Sequence, residues 1–151
     1  MNHYKSKGYG SPADSNAKRK READNTAAIY RRLRDEGHEF IAIVGDLNDT
    51  PDSDPLDGLI NGSDLTDVFH LASPNFDSGG YPGTYGGSTK SNKIDYILMS
   101  PALVAKASKG GVFRKGMWPG VRPKKWECYD TISNEDEAAS DHACLWVDLD
   151  I

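Results

Sequence analysis

Five polar residues stand at or beside the most strand-like stretches of the chain, and their types are those that phosphoester chemistry uses. Asp46 and Asn48 follow the start of FIAIVGDLN, Asp95 lies inside KIDYIL, and Asp141 with His142 immediately precedes ACLWVDL; His3, in NHYKS, is a further candidate. Open sheets flanked by helices commonly place ligand sites at strand ends. A hard divalent cation such as Mg²⁺, or Mn²⁺, takes oxygen ligands and neutralises phosphoryl oxygens as charge builds. Asp141 suits that ligand role, with Asp46 and Asn48 completing the candidate metal set. A carboxylate must also position or deprotonate the attacking water, and an amide can hydrogen-bond non-bridging oxygens without adding negative charge; these are roles for Asp46 and Asn48. An imidazole held by a carboxylate keeps its orientation and can carry positive charge toward the phosphate, a pairing open to Asp95 and His142. Taken singly, each residue has a plainer reading: Asp46 or Asn48 as a turn cap, Asp95 as a satisfied strand carboxylate, His142 as a surface imidazole.

The elements that must position these groups follow from periodicity. Residues 2–14 read as a Gly, Ser and Lys-rich loop, and NAKRKREADNTAAIYRRLRDEG as a helix that starts near Asp14 or Ser15 and stops at Gly37. Ala17, Ala23, Ala27, Ile29, Tyr30 and Leu33 give it a narrow apolar stripe, while Lys18–Arg21, Arg31, Arg32 and Arg34 read as its solvated face. Phe40–Val44 is continuously apolar and too short for a helix, so a strand buried on both faces is expected. Short elements are expected over 54–61 and 65–71, a long loop over Ser73–Ser91, a second strand over Lys93–Met99, a helical turn after Pro101, and an edge strand near Gly111–Arg114. Ala143–Leu149 alternates as a strand, with Cys144, Trp146 and Asp148 on one side. Residues 115–141 are polar and irregular, with Trp118 and Trp126 as expected anchors. Helix and strand alternate without an internal repeat, which predicts an α/β (α+β layered) fold: a mixed β-sheet with flanking helices.

Composition sets the outer bounds. A chain of 151 residues fits a single domain, 1–151, and 37% hydrophobic residues with three Trp and seven Tyr supply a core. The net charge of −5 argues against coating nucleic acid through bulk positive potential. No apolar run approaches the ~20 residues of a membrane-spanning helix, so membrane insertion is not expected. Cys128 and Cys144 lie outside any CxxC or Cys/His pattern, which argues against a zinc site; Cys144 reads as a small buried residue, and a disulfide between the two stays open.

Four motifs in order, NHYKSKG (2–8), GDLNDTP (45–51), KIDYIL (93–98) and SDH (140–142), make the chain resemble the endonuclease/exonuclease/phosphatase superfamily, whose fold is that of DNase I. NHYKSKG is most similar to the bacterial nuclease branch. The resemblance implies that His3 contacts the phosphate or helps the leaving group, Asp46 orients or activates water, and Asn48 steadies phosphoryl oxygens. Asp95 would orient His142, and Asp141 would bind Mg²⁺ or Mn²⁺. Lys5 and Ser6 would touch phosphate or form a solvated turn, and Tyr85, in GTY, would flank the substrate or be a buried aromatic.

Family members are usually longer, with a four-layer sandwich made of two similar halves, and this chain resembles the C-terminal half. The first half normally supplies an Asn and a principal Glu metal ligand, for which no motif here substitutes. Two readings follow. One is a divalent-metal-dependent phosphoesterase, a phosphodiesterase or nuclease acting on a phosphate ester such as DNA or RNA. The other is a catalytically incomplete half-domain that binds phosphate or metal. A lone half is expected to leave apolar sheet surface uncovered, and so to form a homo-oligomer or to meet a complementing N-terminal half.

Overall fold

The computed structural model describes residues 1–71, 75–121 and 123–151. Its elements are β1 (Asn2–His3), α1 (Pro12–Asp35), β2 (Ala42–Asp46), α2 (Asp57–Ile60), β3 (Thr66–Asp67), β4 (Phe76–Asp77), β5 (Asp95–Met99), α3 (Pro101–Val104), β6 (Ala107–Phe113) and β7 (Cys144–Leu149), with short 3-10 turns between them. They form two mixed sheets: a four-stranded one in the order β1-β2-β5-β3 and a three-stranded one in the order β4-β6-β7. The fold is thus mixed α and β in layers, as expected. Among the described residues no helix is long and apolar enough to cross a membrane.

Helix α1 begins where Ser11 caps it, its hydroxyl accepting the Asp14 N–H with Pro12 in the first turn, and it ends before Gly37, whose φ of +90° suits a left-handed terminus. Its buried stripe runs Ser15, Arg19, Ala23, Ala27 and Tyr30. This corrects the expected stripe, because Ala17 and Ile29 are exposed and Arg19, assigned to the solvated face, is fully buried. The small alanines let the helix lie close on the sheet, where Ile43, Tyr96 and Leu98 meet it together with Leu56 and Leu59 from the segment containing α2.

The other face of the four-stranded sheet is covered only in part. Met99 and Ile97 of β5 pack with Val68, Leu103, Val147 and Leu149, an apolar layer shared with the three-stranded sheet. Their cross-strand partners on β2, Ala42 and Val44, lie on the same face, yet Ala42 is exposed and Val44 only half-buried. The expected strand Phe40–Val44, buried on both faces, is corrected accordingly. Pairing starts at Ala42, and Phe40 is 57% exposed, because the second sheet stops short of β2.

Two further expectations change. The edge strand near Gly111–Arg114 is the longer β6, central between β4 and β7. Cys144 is exposed rather than buried, and both cysteines are free. The alternation of β7 holds, with Val147 and Leu149 in the core and Asp148 outside. The Ser73–Ser91 segment contains β4 and leads into a 3-10 turn at Lys90–Asn92; its first residues, Ser73 and Pro74, lie outside the described residues, as does Arg122 in the 115–141 segment.

One glycine is required by close approach. At Gly45, φ is +143° and a Cβ would stand 1.9 Å from the Asn2 carbonyl oxygen, so only glycine lets β1 pair with β2 here.

Candidate active site

Strand register builds the site. His3 of β1 pairs with Asp46 of β2, and Asp46 pairs with Asp95 of β5. Three neighbouring strands therefore set His3, Asp46 and Asp95 in one row at the end of the sheet. Residues directly opposite in paired strands project to one face, so two carboxylates with an imidazole beside them follow from pairing alone.

His142 joins the row from the start of the last strand segment. Its Nδ1 lies 3.0 Å from Asp95 Oδ2 and 3.1 Å from Oδ1. The backbone of 84–86 docks on that of 141–143: Ala143 donates to the Thr84 carbonyl at 2.7 Å and Gly86 to the Asp141 carbonyl at 2.8 Å. This pairing carries Thr84, fully buried, beneath the carboxylate, where its hydroxyl donates to Asp95 Oδ2 at 2.7 Å. Thr84 was not foreseen, and the only signal was its place in the GTY that precedes KIDYIL. Tyr85 is 38% exposed, and its ring lies 4.8 Å from that of His142, so it flanks the imidazole rather than entering the core.

Asp46 is held from the turn that follows β2. Asn48, in a left-handed conformation at φ +54°, gives its backbone N–H to Asp46 Oδ1 at 2.8 Å and its side-chain amide to Asp46 Oδ2 at 2.9 Å. The same amide nitrogen donates to the Tyr4 carbonyl at 3.0 Å. Both amide protons are thus engaged, and Asn48 acts here on Asp46; a phosphoryl oxygen would have to replace one of these bonds. Burial raises the Asp46 carboxyl above the ordinary aspartate range, with Asp95 adding to the shift; the Asn48 N–H, His142 and His3 oppose it. His3 stands largely exposed at the mouth, its Nε2 3.8 Å from Asp46 Oδ2.

These groups open into a cleft of about 460 Å³ that His3, Asp46, Asn48, Tyr85, Asp141 and His142 line together with Ser6 and Lys7. Five of the six sequence candidates, His3, Asp46, Asn48, Asp141 and His142, therefore share one cavity, and Asp95 lies behind His142, held to its Nδ1. Ser6 reaches it, whereas Lys5 hydrogen-bonds the Ser6 carbonyl and lies over the Tyr9 ring.

A divalent cation fits this donor set. Ligand atoms of Asp46, Asp95 and His142 all lie within 4.8 Å of one another, and burial, with Asp95 adding to it, disfavours the Asp46 carboxylate, a cost that a cation offsets. Asp46 belongs to both this trio and the expected set; Asp141 is exposed on the cleft rim and lies outside the trio, and Asn48 braces Asp46.

Beneath the site is a buried ion pair that sequence reasoning missed. Arg19 Nε lies 3.0 Å from Asp49 Oδ2, with both side chains nearly inaccessible. Arg19 also donates to the Lys5 carbonyl at 2.8 Å, and Lys7 reaches Asp49 Oδ1. Helix α1, the NHYKSKG loop and the GDLND turn are thereby tied at one point, which fixes β1 and with it His3.

A family model described as "Endonuclease/Exonuclease/phosphatase family" matches residues 3–142. Among solved structures, the chain is similar to an endonuclease/exonuclease/phosphatase family protein from Bacteroides thetaiotaomicron, with 20% identity and a TM-score of 0.56, covering 85% of this chain and 44% of that one. It is also similar to a mannosyl-6-phosphatase from Bacteroides thetaiotaomicron, with 19% identity and a TM-score of 0.57, covering 85% and 46%. At such identities the likeness shows the fold, and the chain spans less than half the length of each of these proteins. No curated protein matches the chain. With the motifs, the matched span and the fold in agreement, the chain belongs to the endonuclease/exonuclease/phosphatase family.

Proposed function

We propose that this chain carries the catalytic groups of a divalent-metal-dependent phosphoesterase, a phosphodiesterase or nuclease in the first instance. The observation that supports this most is the row His3–Asp46–Asp95 with His142 docked on Asp95, of which His3, Asp46 and His142 line one cleft. Asp46 would hold the cation, Mg²⁺ or Mn²⁺, with Asp141 from the cleft rim as the second carboxylate that the resemblance implies. When bound, it supplies positive charge against the phosphoryl oxygens and acidifies water.

The residues of the chain divide the remaining work. Asp46, kept in one orientation by Asn48, orients the attacking water and accepts its proton. The water oxygen bonds to phosphorus as the bond to the ester oxygen breaks. His142 has Nδ1 committed to Asp95, so Nε2 is the nitrogen available to a phosphoryl oxygen. His3, at the exposed mouth, would give a proton to the departing oxygen.

The second reading, a half-domain that binds phosphate or metal with little unaided turnover, draws on the half-length match to its structural neighbours and on the uncovered surface at Ala42 and Val44. A second copy or a complementing half would cover that surface. The test is hydrolysis of double-stranded DNA, of a simple phosphodiester and of a sugar phosphomonoester, the last because one neighbour is a mannosyl-6-phosphatase. Each is assayed with Mg²⁺, with Mn²⁺ and with EDTA, beside an Asp46→Ala protein prepared identically. Metal-dependent cleavage absent from the control is the expected result; equal, background rates in both proteins would favour the half-domain.

A further inference from the structure

A second cleft, of about 470 Å³, adjoins the candidate active site, and the two share Asp141. The turn after Thr84 forms the partition: Tyr85 faces the first cleft, while Gly86 and Gly87 line the second. The two clefts thus meet at Asp141, which is exposed between them. The volume falls in the range of small-molecule sites, roughly 300–1,000 Å³.

The lining is specific in character. Trp118 and Trp126 supply aromatic surface, and Trp126 is fixed, its N–H 3.4 Å from the Met117 carbonyl and its ring edge-on to Tyr81. The polar groups are Asp141, Glu135 and Ser140, with Lys125 as the cation among the described lining residues, its ammonium donating to the Gly87 carbonyl at 3.3 Å. Among the described lining residues two carboxylates face one ammonium, a balance that disfavours a second phosphate here. Carboxylates and a hydroxyl beside indole faces do suit an uncharged ring that bears hydroxyl groups, because its C–H face packs on the aromatic surface while its hydroxyls donate to the acids.

Building on the phosphoesterase reading, we propose that this cleft is the subsite for a neutral sugar ring carried by the phosphoester substrate. Trp118 would supply the stacking face and Glu135 would accept from ring hydroxyls. The assignment specifies the group attached to the phosphate, whereas the row at the sheet end specifies only the phosphate itself.

The test uses the full chain and ligands without phosphate, so it does not depend on turnover. Ligand-observed saturation-transfer NMR is run with a panel of methyl hexosides and, separately, with nucleosides, on the wild-type, Asp46→Ala, Trp118→Ala, Trp118→Phe and Glu135→Gln proteins. Hexosides should bind the wild-type and Asp46→Ala proteins alike. Their affinity should fall about ten-fold or more, at about 1.4 kcal/mol per ten-fold, in Trp118→Ala and Glu135→Gln, and be largely kept in Trp118→Phe. Glu135 is exposed, so its variant reports on binding even where Trp118→Ala misfolds. Preference for nucleosides, no hexoside binding, or binding indifferent to Trp118 and Glu135 would each overturn the subsite. Hexoside binding in a protein that hydrolyses no phosphoester would uphold the subsite and overturn the phosphoesterase reading alone.

Discussion

His142 Nδ1 and the Asp95 carboxylate, 47 positions apart in the chain, meet at 3.0 Å, and the buried Thr84 hydroxyl holds the same carboxylate oxygen from the other side at 2.7 Å. A carboxylate held by two partners fixes the imidazole in turn, which is how a ring is aimed without the freedom of a surface histidine. The pair should behave as one unit. Asp95→Asn and His142→Ala are each expected to lower kcat at saturating metal by about 10²–10⁴-fold, and the double variant by little more than the worse single. Multiplicative losses in the double variant would show that the two residues act independently.

Asp46 links pH to metal. Burial raises its carboxyl above the ordinary value of 3.8, so it keeps its proton at a pH where a free aspartate has lost it. A proton on Asp46 competes with the cation. Apparent affinity for Mg²⁺ should therefore weaken as pH falls through that raised value, approaching about ten-fold per pH unit below it. Asp141→Asn should raise the metal concentration needed for half-maximal activity while leaving kcat at saturating metal far less affected than His142→Ala does. Calorimetric titration of Mg²⁺ across an acid pH series checks the first expectation; an affinity that stays flat down to 3.8 would contradict it.

Much of this site was legible because its residues hug strand ends. FIAIV, KIDYIL and ACLWVDL are apolar, β-branched runs whose cores form β2, β5 and β7, and the acids beside them fall at or near strand ends. Register was not legible. Nothing in the sequence says that Asp46 pairs with Asp95 rather than with a neighbour two residues away. Arg19 was misplaced because a basic run on a helix looks solvated, and its burial depends on Asp49, which lies 30 positions further along. Phe40 was misjudged because strand burial depends on how far the second sheet extends, a tertiary quantity that hydropathy does not encode.

Tyr30 gives the fold a separate alkaline signature. Its hydroxyl meets Asp64, and burial, followed by that carboxylate, pushes its ionisation up from 10.0 to about 12. The folded state then keeps a proton that the unfolded chain loses, so the stabilising contribution is whole below pH 10.0 and is lost as pH rises through about 12. Tyr30→Phe removes the hydrogen bond and should lower stability by about 1 kcal/mol at neutral pH. It should also flatten the decline above pH 10.0 relative to the wild-type protein. Urea unfolding of both proteins, at neutral pH and midway through the alkaline window, reads the difference; parallel declines would remove Tyr30 as its cause.

The Arg19–Asp49 pair is the strongest link between stability and the site. Both side chains are almost wholly inaccessible, so Arg19 is left without a charged partner when Asp49 is removed, whereas Asp49 keeps Lys7 when Arg19 is removed. Asp49→Asn should destabilise the chain by about 3–5 kcal/mol, and Arg19→Met by less because Lys7 still pairs with Asp49, measured by the shift in urea midpoint at unchanged slope. The double variant Arg19→Met with Asp49→Leu should recover a large part of that loss, because it buries no lone charge. It would still lack the bond from Arg19 to the Lys5 carbonyl that steadies the loop after β1. Recovered stability with His3-dependent activity still depressed would therefore separate the two functions of the pair, holding the fold and placing His3. Single-variant losses below about 1 kcal/mol, the level of an exposed ion pair, would mean that the pair is solvated in solution and anchors neither.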